Sequence, residues 1–217
     1  MKIGIIPRIH RNIVNQVLLM KYFVGRLIAA FVITVSATGV SYSMETNVRP
    51  EAAKDRTYWI RQLGLTPHPE GGYYRYVFGA EQSRMTAGGA VRRDFSGIFF
   101  LVTRDSPSHL HQLKSDEIWY FHAGHPLTMH VIDEEGAYHR ILLGPDIDKG
   151  EILSVVMRAG WIFGSSVDEG DYGLVSCTVV PGYDDADYKL FTQAELLSRF
   201  PSQQEIIMKL AYKNVPE

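Results

Sequence analysis

Short hydrophobic runs separated by polar turns dominate the chain and predict β-strands. Residues 95–103 are almost entirely apolar, whereas residues 73–78 place Tyr73 and Arg75 on one face and Tyr74 on the other. Further runs of strand length cover residues 109–113, 117–122, 127–133, 138–143 and 151–157. A Gly-rich polar stretch at 81–94 predicts a loop. Strands of this length and spacing are typical of a β-sandwich or small barrel.

Helical patterns occur only near the two ends of this β-rich region. Residues 51–63 have the apolar spacing of a short helix, which Gly64 would end. Residues 192–199 and 202–212 each begin with a hydroxyl residue that can cap a helix, and each carries Glu three positions later, as a capping box does. We therefore predict an all-β domain with short flanking helices at both ends.

Residues 109–124 hold the most distinctive side chains. They read as strand, tight turn and strand, with the turn at 114–116. His109 and His111 point the same way on a strand, because side chains alternate between its faces. A hairpin would bring Glu117 back towards both histidines. Two imidazoles and a carboxylate make either a metal half-site or a group of proton-transfer residues, and the spacing alone allows both.

Composition and charge exclude several classes of protein. The 217 residues include one cysteine, Cys177, so an internal disulfide and a multi-cysteine zinc site are excluded. Cys177 lies in an apolar run, which predicts a buried thiol. The first 43 residues hold five of the 22 basic residues and none of the 24 acidic ones, so the remainder carries a net charge of −7. We therefore expect no nucleic acid partner.

The first 43 residues are predicted to be a secretory signal peptide. A basic segment begins at Met20, an apolar segment follows it, and small residues precede Met44. The 19 residues before Met20 are long for such a leader, so translation starting at Met20 is our alternative. An uncleaved membrane anchor is the competing interpretation, because residues 22–40 nearly span a bilayer.

This organisation predicts an extracytoplasmic protein, periplasmic or secreted. Residues 44–56 would be a short linker, and residues 57–213 would form a single domain. A membrane partner is expected only if the N-terminal segment is not cleaved.

Three separated motifs resemble those of a known family. Residues 67–75 read Pro-His-Pro-Glu-Gly-Gly-Tyr-Tyr-Arg, residues 109–124 contain His-x-His followed by Glu and Gly, and residues 181–190 read Pro-Gly-Tyr-Asp-Asp-Ala-Asp-Tyr-Lys-Leu. Together they resemble the cupin superfamily and, within it, the cupin-5 family of small single-domain proteins known as a domain of unknown function. The resemblance implies a double-stranded β-helix, the cupin jelly-roll.

The second cupin motif departs from the family pattern. Residues 158–163 read Arg-Ala-Gly-Trp-Ile-Phe, with Phe163 where the remaining histidine ligand is expected. The resemblance thus leaves His109, His111 and Glu117 as metal ligands, and five residues separate His111 from Glu117, one more than usual. Because a nitrogen donor is lost, we expect no firmly bound cofactor and only weak binding of a divalent metal.

The resemblance implies a small-molecule-binding cupin, and an isomerase or epimerase-like enzyme acting on a polar, carbohydrate-like ligand inside the barrel is our first hypothesis. A non-catalytic ligand-binding module and a metal-dependent dioxygenase-type cupin are the alternatives. The expected catalytic residues are His109, His111, Glu117 and Tyr74. The expected ligand-binding residues are Glu70, Tyr73, Arg75, Trp119, Phe121, Trp161 and Phe163. An ion pair between Glu70 and Arg75 is the structural alternative for those two.

Both faces of residues 117–122 are apolar, although a monomeric sandwich would leave one face polar. Trp119 and Phe121 share the face of the site, and Ile118 and Tyr120 point the other way. We therefore expect a homodimer that covers the outer face, with coverage by the C-terminal helix as the alternative.

Overall fold

The computed structural model describes residues 54–216. The signal peptide predicted for residues 1–43, the proposed start at Met20 and most of the predicted linker lie outside these residues and stay predictions. Within the described part, no helix is long and apolar enough to cross a membrane.

Thirteen strands and three short α-helices make up the described residues. The strands are β1 (Thr66–Pro67), β2 (Tyr73–Gly79), β3 (Ser83–Met85), β4 (Val91–Arg93), β5 (Ser96–Thr103), β6 (Ser108–Leu113), β7 (Asp116–Gly124), β8 (Leu127–Ile132), β9 (Tyr138–Leu143), β10 (Ser154–Met157), β11 (Ile162–Ser166), β12 (Tyr172–Val180) and β13 (Tyr188–Leu190). The helices are α1 (Arg56–Leu63), α2 (Gln193–Arg199) and α3 (Gln204–Leu210), and single 3₁₀ turns cover Ile147–Lys149, Asp185–Asp187 and Pro201–Gln203.

Two antiparallel sheets face each other across the core. One has six strands in the order β1-β2-β5-β12-β7-β10, and the other has five in the order β13-β6-β11-β8-β9. Strands β3 and β4 form a separate two-stranded hairpin, so the loop predicted at 81–94 is wrong. The prediction of an all-β sandwich with short helices at both ends is confirmed.

The inward-facing side chains of both sheets fill the space between them. Phe100 and Val102 of β5 and Cys177 of β12 meet Met129 and Val131 of β8 in one buried cluster. Burying a large apolar side chain contributes about 1.5–3 kcal/mol relative to leaving it exposed, so this cluster stabilises the sandwich. The prediction that Cys177 is buried is confirmed.

The flanking helices cover the outer faces of different sheets. Helix α1 begins at Asp55, whose carboxylate accepts a hydrogen bond from the Tyr58 amide at 2.7 Å, and ends at Gly64. Its apolar residues pack against Leu101 and Leu174 of the six-stranded sheet. Helices α2 and α3 instead pack on the five-stranded sheet, through Leu196, Ile206, Ile207 and Leu210. The C-terminal helix therefore does not cover the outer face of residues 117–122, and that alternative is wrong.

The strand pairing also corrects the hairpin predicted around residues 114–116. Strand β6 pairs with β11 and β13, whereas β7 pairs with β10 and β12. The turn between them carries the chain from one sheet to the other. Residues on β6 and β7 therefore meet across the interior rather than side by side in one sheet.

Candidate functional site

The two sheets enclose a cavity of about 320 Å³. Five of the predicted site residues line it: Glu70, Tyr74, His111, Glu117 and Trp119. They come from the turn before β2, from β2 itself, and from the facing strands β6 and β7. Three of them, His111, Glu117 and Trp119, were expected in one hairpin and instead come from two sheets that face each other.

Of the two histidines of the His-x-His motif, His111 is the one that faces this cavity. Its side chain is 2% exposed, and its Nδ1–H donates to the carbonyl oxygen of His109 at 2.8 Å. Because a carbonyl oxygen only accepts, Nδ1 carries the proton and Nε2 is left as an unprotonated acceptor. Burial lowers the pKa of His111, although the charge of Glu117 opposes this shift.

Glu70 lies next to His111, with its Oε2 3.5 Å from the Nε2 of that ring. The Ser108 hydroxyl donates to Oε1 at 2.9 Å, and the Tyr188 hydroxyl lies 3.5 Å from Oε2. Burial raises the pKa of Glu70, while His68 and the two hydroxyls act against it. The raised pKa favours the protonated acid, which is the form able to donate a proton towards His111.

Glu117 is the second buried carboxyl group of the cavity. Its side chain accepts a hydrogen bond from the Trp119 indole at 2.9 Å. Burial raises the pKa of Glu117 to about 7, while His111 lowers it and Glu70 raises it further. A carboxyl group that titrates near neutral pH can both give and take a proton, which suits a general acid or base.

His109 does not join His111 in the cavity. Its ring stacks on Tyr212 at 3.8 Å between centroids, and its Nδ1–H donates to the backbone carbonyl of Glu70 at 2.8 Å. Both contacts hold the ring outside the cavity lining. The assignment of His109 to the catalytic group is therefore not supported by its position.

The predicted metal-ligand set of His109, His111 and Glu117 is not assembled. Phe163, on the strand paired with β6, packs its ring 4.3 Å from the His111 ring and is itself 1% exposed. Within residues 54–216, no three His, Cys, Asp or Glu side chains are grouped so that they could hold a metal ion. The residues present therefore do not fit the metal site that the cupin resemblance implies.

The remaining predicted ligand-binding residues lie outside the cavity lining. Tyr73 packs in the cluster under α1, and the Arg75 guanidinium lies 6.0 Å from the centre of the Phe99 ring. Both are on the face of β2 opposite Tyr74, so the Glu70–Arg75 ion pair is not formed. Phe121 and Trp161 pack against the core cluster instead.

Several residues that the sequence did not single out line the cavity. They are His68, Tyr76, Arg93, Tyr183 and Tyr188. The sequence held a signal for three of them. His68 belongs to the motif at 67–75, and Tyr183 and Tyr188 belong to the motif at 181–190. Arg93 carried no such signal, since its neighbours marked a polar loop.

Comparison with known proteins identifies the family of this chain. Residues 57–191 match the family Cupin_5, described as "Cupin superfamily (DUF985)". The chain belongs to the Cupin_5 family. No curated protein matches it.

Several solved structures are similar to this chain. A hypothetical protein from Leishmania major is 42% identical, with a TM-score of 0.70 over 73% of this chain and 99% of that one. A protein from Shewanella oneidensis is 36% identical, with a TM-score of 0.67 over 75% of this chain and 98% of that one. Oxalate decarboxylase from Bacillus subtilis is 14% identical, with a TM-score of 0.44 over 70% and 40% of the two chains. The Cupin_5 match over residues 57–191, together with the two facing antiparallel sheets, confirms the predicted cupin jelly-roll.

Proposed function

We propose that this Cupin_5 protein is an isomerase or epimerase-like enzyme that moves a proton on a polar, carbohydrate-like ligand held in the cavity. The observation that carries the proposal is the contact between His111 Nδ1 and the carbonyl oxygen of His109, from which the tautomer of His111 follows. Its Nδ1–H donates to a backbone carbonyl at 2.8 Å, so the basic atom is Nε2, which lies 3.5 Å from Oε2 of the cavity residue Glu70. Burial lowers the pKa of His111 and keeps the ring neutral, which is the state that a general base needs.

The carboxyl groups around His111 supply the other half of the reaction. Glu117 has a pKa of about 7 because of its burial, so near neutral pH it is present in both protonation states. In the proposed reaction His111 removes a proton next to a carbonyl group, and Glu117 or Tyr74 returns one on another side of the ligand. Each such transfer contributes about 10²–10⁴ in rate.

A non-catalytic binding module is the second candidate function. It is supported by the aromatic walls of the cavity, where Tyr74, Phe100 and Trp119 offer flat surfaces to a sugar ring or an apolar ring. The same walls would hold a substrate during turnover, so they do not separate the two functions. A dioxygenase-type activity has no support from the side chains described, because they do not form the ligand set it requires.

Proton exchange with solvent tests the proposal directly. The protein is incubated in D₂O with a panel of aldo and keto sugars, and NMR follows deuterium entering positions next to the carbonyl group. We expect exchange in at least one sugar and a loss of at least about 100-fold in His111→Gln, because the base is removed. His139→Gln is the matched control, since that histidine is exposed on β9.

The outcomes separate the two candidate functions. Exchange that persists in His111→Gln would remove His111 from the catalytic role. Ligand binding without exchange in any sugar would favour the binding module. Circular dichroism of both variants checks that the fold is retained.

A further inference from the structure

Three arginines lie on the hairpin formed by β3 and β4, and two of them are committed to carboxylates. The Arg84 Nε is 2.7 Å from Asp94, and the Arg92 Nε is 2.6 Å from Asp187. Arg93 differs from both. Its guanidinium donates to the carbonyl oxygen of Ala80, and no carboxylate within residues 54–216 lies at ion-pair distance from it. A positive charge is therefore left without a counterion.

Arg93 lies at the open end of the cavity. Tyr76 and Tyr183, which line the cavity with it, are 55% and 43% exposed, whereas His111 and Glu117 are 2% and 6% exposed. The cavity thus has a solvent-facing mouth and a closed inner end. His111 and Glu117 lie at the closed end, and the positively charged Arg93 side chain lies at the solvent-facing mouth.

The wall between these two ends is apolar. Ile98, Phe100 and Val179 line it together with the Trp119 ring. A ligand that fills the cavity therefore meets acid and base groups at its inner end, apolar and aromatic walls along its body, and one positive charge where it reaches solvent. A planar guanidinium with free donors suits the oxygens of a carboxylate, sulfonate or phosphate.

We propose that Arg93 binds an anionic group at the outer end of the ligand, so that the substrate class is a ring-bearing molecule with one terminal acid group. This inference rests on the proposed function, because it assumes that a ligand occupies this cavity. Arg75 is the arginine that the sequence analysis expected to bind the ligand, but it lies over Phe99 on the face of β2 opposite Tyr74 and does not line the cavity, whereas Arg93 does.

Two probes that differ only in charge test the inference. Naphthalene-2-sulfonate and naphthalene-2-sulfonamide share one ring system and nearly one shape, but only the sulfonate is anionic at pH 7. Calorimetric titration of the protein should give about tenfold tighter binding of the sulfonate, the effect of one charge-assisted hydrogen-bond pair at a partly exposed site. This preference should fall as salt is raised, because Arg93 is exposed.

Variants then assign the preference to one residue. Arg93→Gln should weaken sulfonate binding about tenfold and leave sulfonamide binding within twofold, and Arg93→Lys should keep most of the preference. Arg75→Gln is the matched control, because it removes the same charge from β2 of the six-stranded sheet, where Arg75 lies over Phe99 and outside the cavity lining. It should change neither affinity.

Each other outcome decides against one of the two proposals. Equal binding of both probes by the unchanged protein overturns the role of Arg93 and leaves the proposed function standing. Binding of neither probe overturns the idea of a ring-binding cavity, and with it this inference. If Arg75→Gln abolishes the preference for the sulfonate and Arg93→Gln does not, the anionic group binds at Arg75, and the role proposed for Arg93 is overturned.

Discussion

At the scale of a single residue, two opposing effects act on the pKa of the Glu117 carboxyl group. Burial raises its pKa to about 7, while the His111 ring and the hydrogen bond from the Trp119 indole lower it. In the unfolded chain a glutamate titrates near 4.5. The folded protein therefore holds this proton over a pH range in which the unfolded chain has released it. Stability from this group is fully present below about pH 4.5 and is lost as the pH rises through 7.

Replacing Glu117 with Gln should remove this loss. A pKa difference of this size corresponds to about 3 kcal/mol in the free energy of unfolding between pH 5 and pH 9. We expect Glu117→Gln to be more stable than the unchanged protein at pH 9 and to show a smaller difference at pH 5. Urea unfolding at both pH values measures it.

The exposed Glu81 provides the control for this experiment. Glu81→Gln should keep the pH dependence of the unchanged protein. If Glu117→Gln also keeps it, another group causes the loss of stability at high pH.

Helix caps show at the scale of an element how local sequence and its surroundings combine. Thr192 and Glu195 form the predicted capping box at the start of α2, with the Glu195 amide 3.2 Å from the Thr192 hydroxyl and the Glu195 carboxylate accepting from the Thr192 amide at 2.8 Å. The capping box predicted at Ser202 and Glu205 is wrong. Helix α3 begins after Gln203 with no side-chain cap, because the turn Pro201–Gln203 precedes it.

This difference predicts unequal effects for two similar substitutions. Thr192→Ala should lower the free energy of unfolding by about 1 kcal/mol, because the Glu195 amide at the start of α2 loses its hydroxyl acceptor. Ser202→Ala should change it by less than about 0.5 kcal/mol, because Ser202 caps no helix. Thermal and urea unfolding of the two variants side by side measures this, and equal losses would contradict the assignment of the caps.

At the scale of the whole molecule, the outer face of the six-stranded sheet is the surface on which we base a proposal about assembly. Tyr120 and Val180 alternate with the inward Trp119 and Val179 and are 38% and 41% exposed. Helix α1 covers only the end of this face around Leu101. We propose that a second copy of the chain covers the rest across a two-fold axis, because antiparallel sheets otherwise present a polar outer face to water.

Light scattering should then report a dimer at micromolar concentration, with an interface on the order of 2,000 Å². Tyr120→Glu should shift the protein to monomer, because it places a charge in an apolar contact. Met208→Glu is the control, since Met208 is 51% exposed on α3, which packs on the other sheet. A monomeric mass for the unchanged protein would overturn the proposal.

The sequence by itself determined seven of the strands, β2 and β5 to β10, together with the end of α1 and both ends of α2. Alternating residues on β2 separated Tyr74 from Tyr73 and Arg75, and Gly64 and Thr192 set helix boundaries. These features follow from neighbours along the chain, because side-chain alternation and capping are local. The resemblance of the sequence motifs to the cupin family placed Glu70, Tyr74, His111, Glu117 and Trp119 among the site residues, and all five line the cavity.

Only the tertiary structure decided which of these residues meet. Strand β6 pairs with β13, from far along the chain, and Tyr212 stacks on His109 and holds it away from His111. The hairpin of β3 and β4 brings Arg93 to the cavity mouth, while Arg75 remains on the outer face. Such contacts join segments tens of residues apart, and their geometry depends on how the two sheets pack. Local alternation assigns a residue to a face of its strand, whereas sheet packing selects its partner on that face.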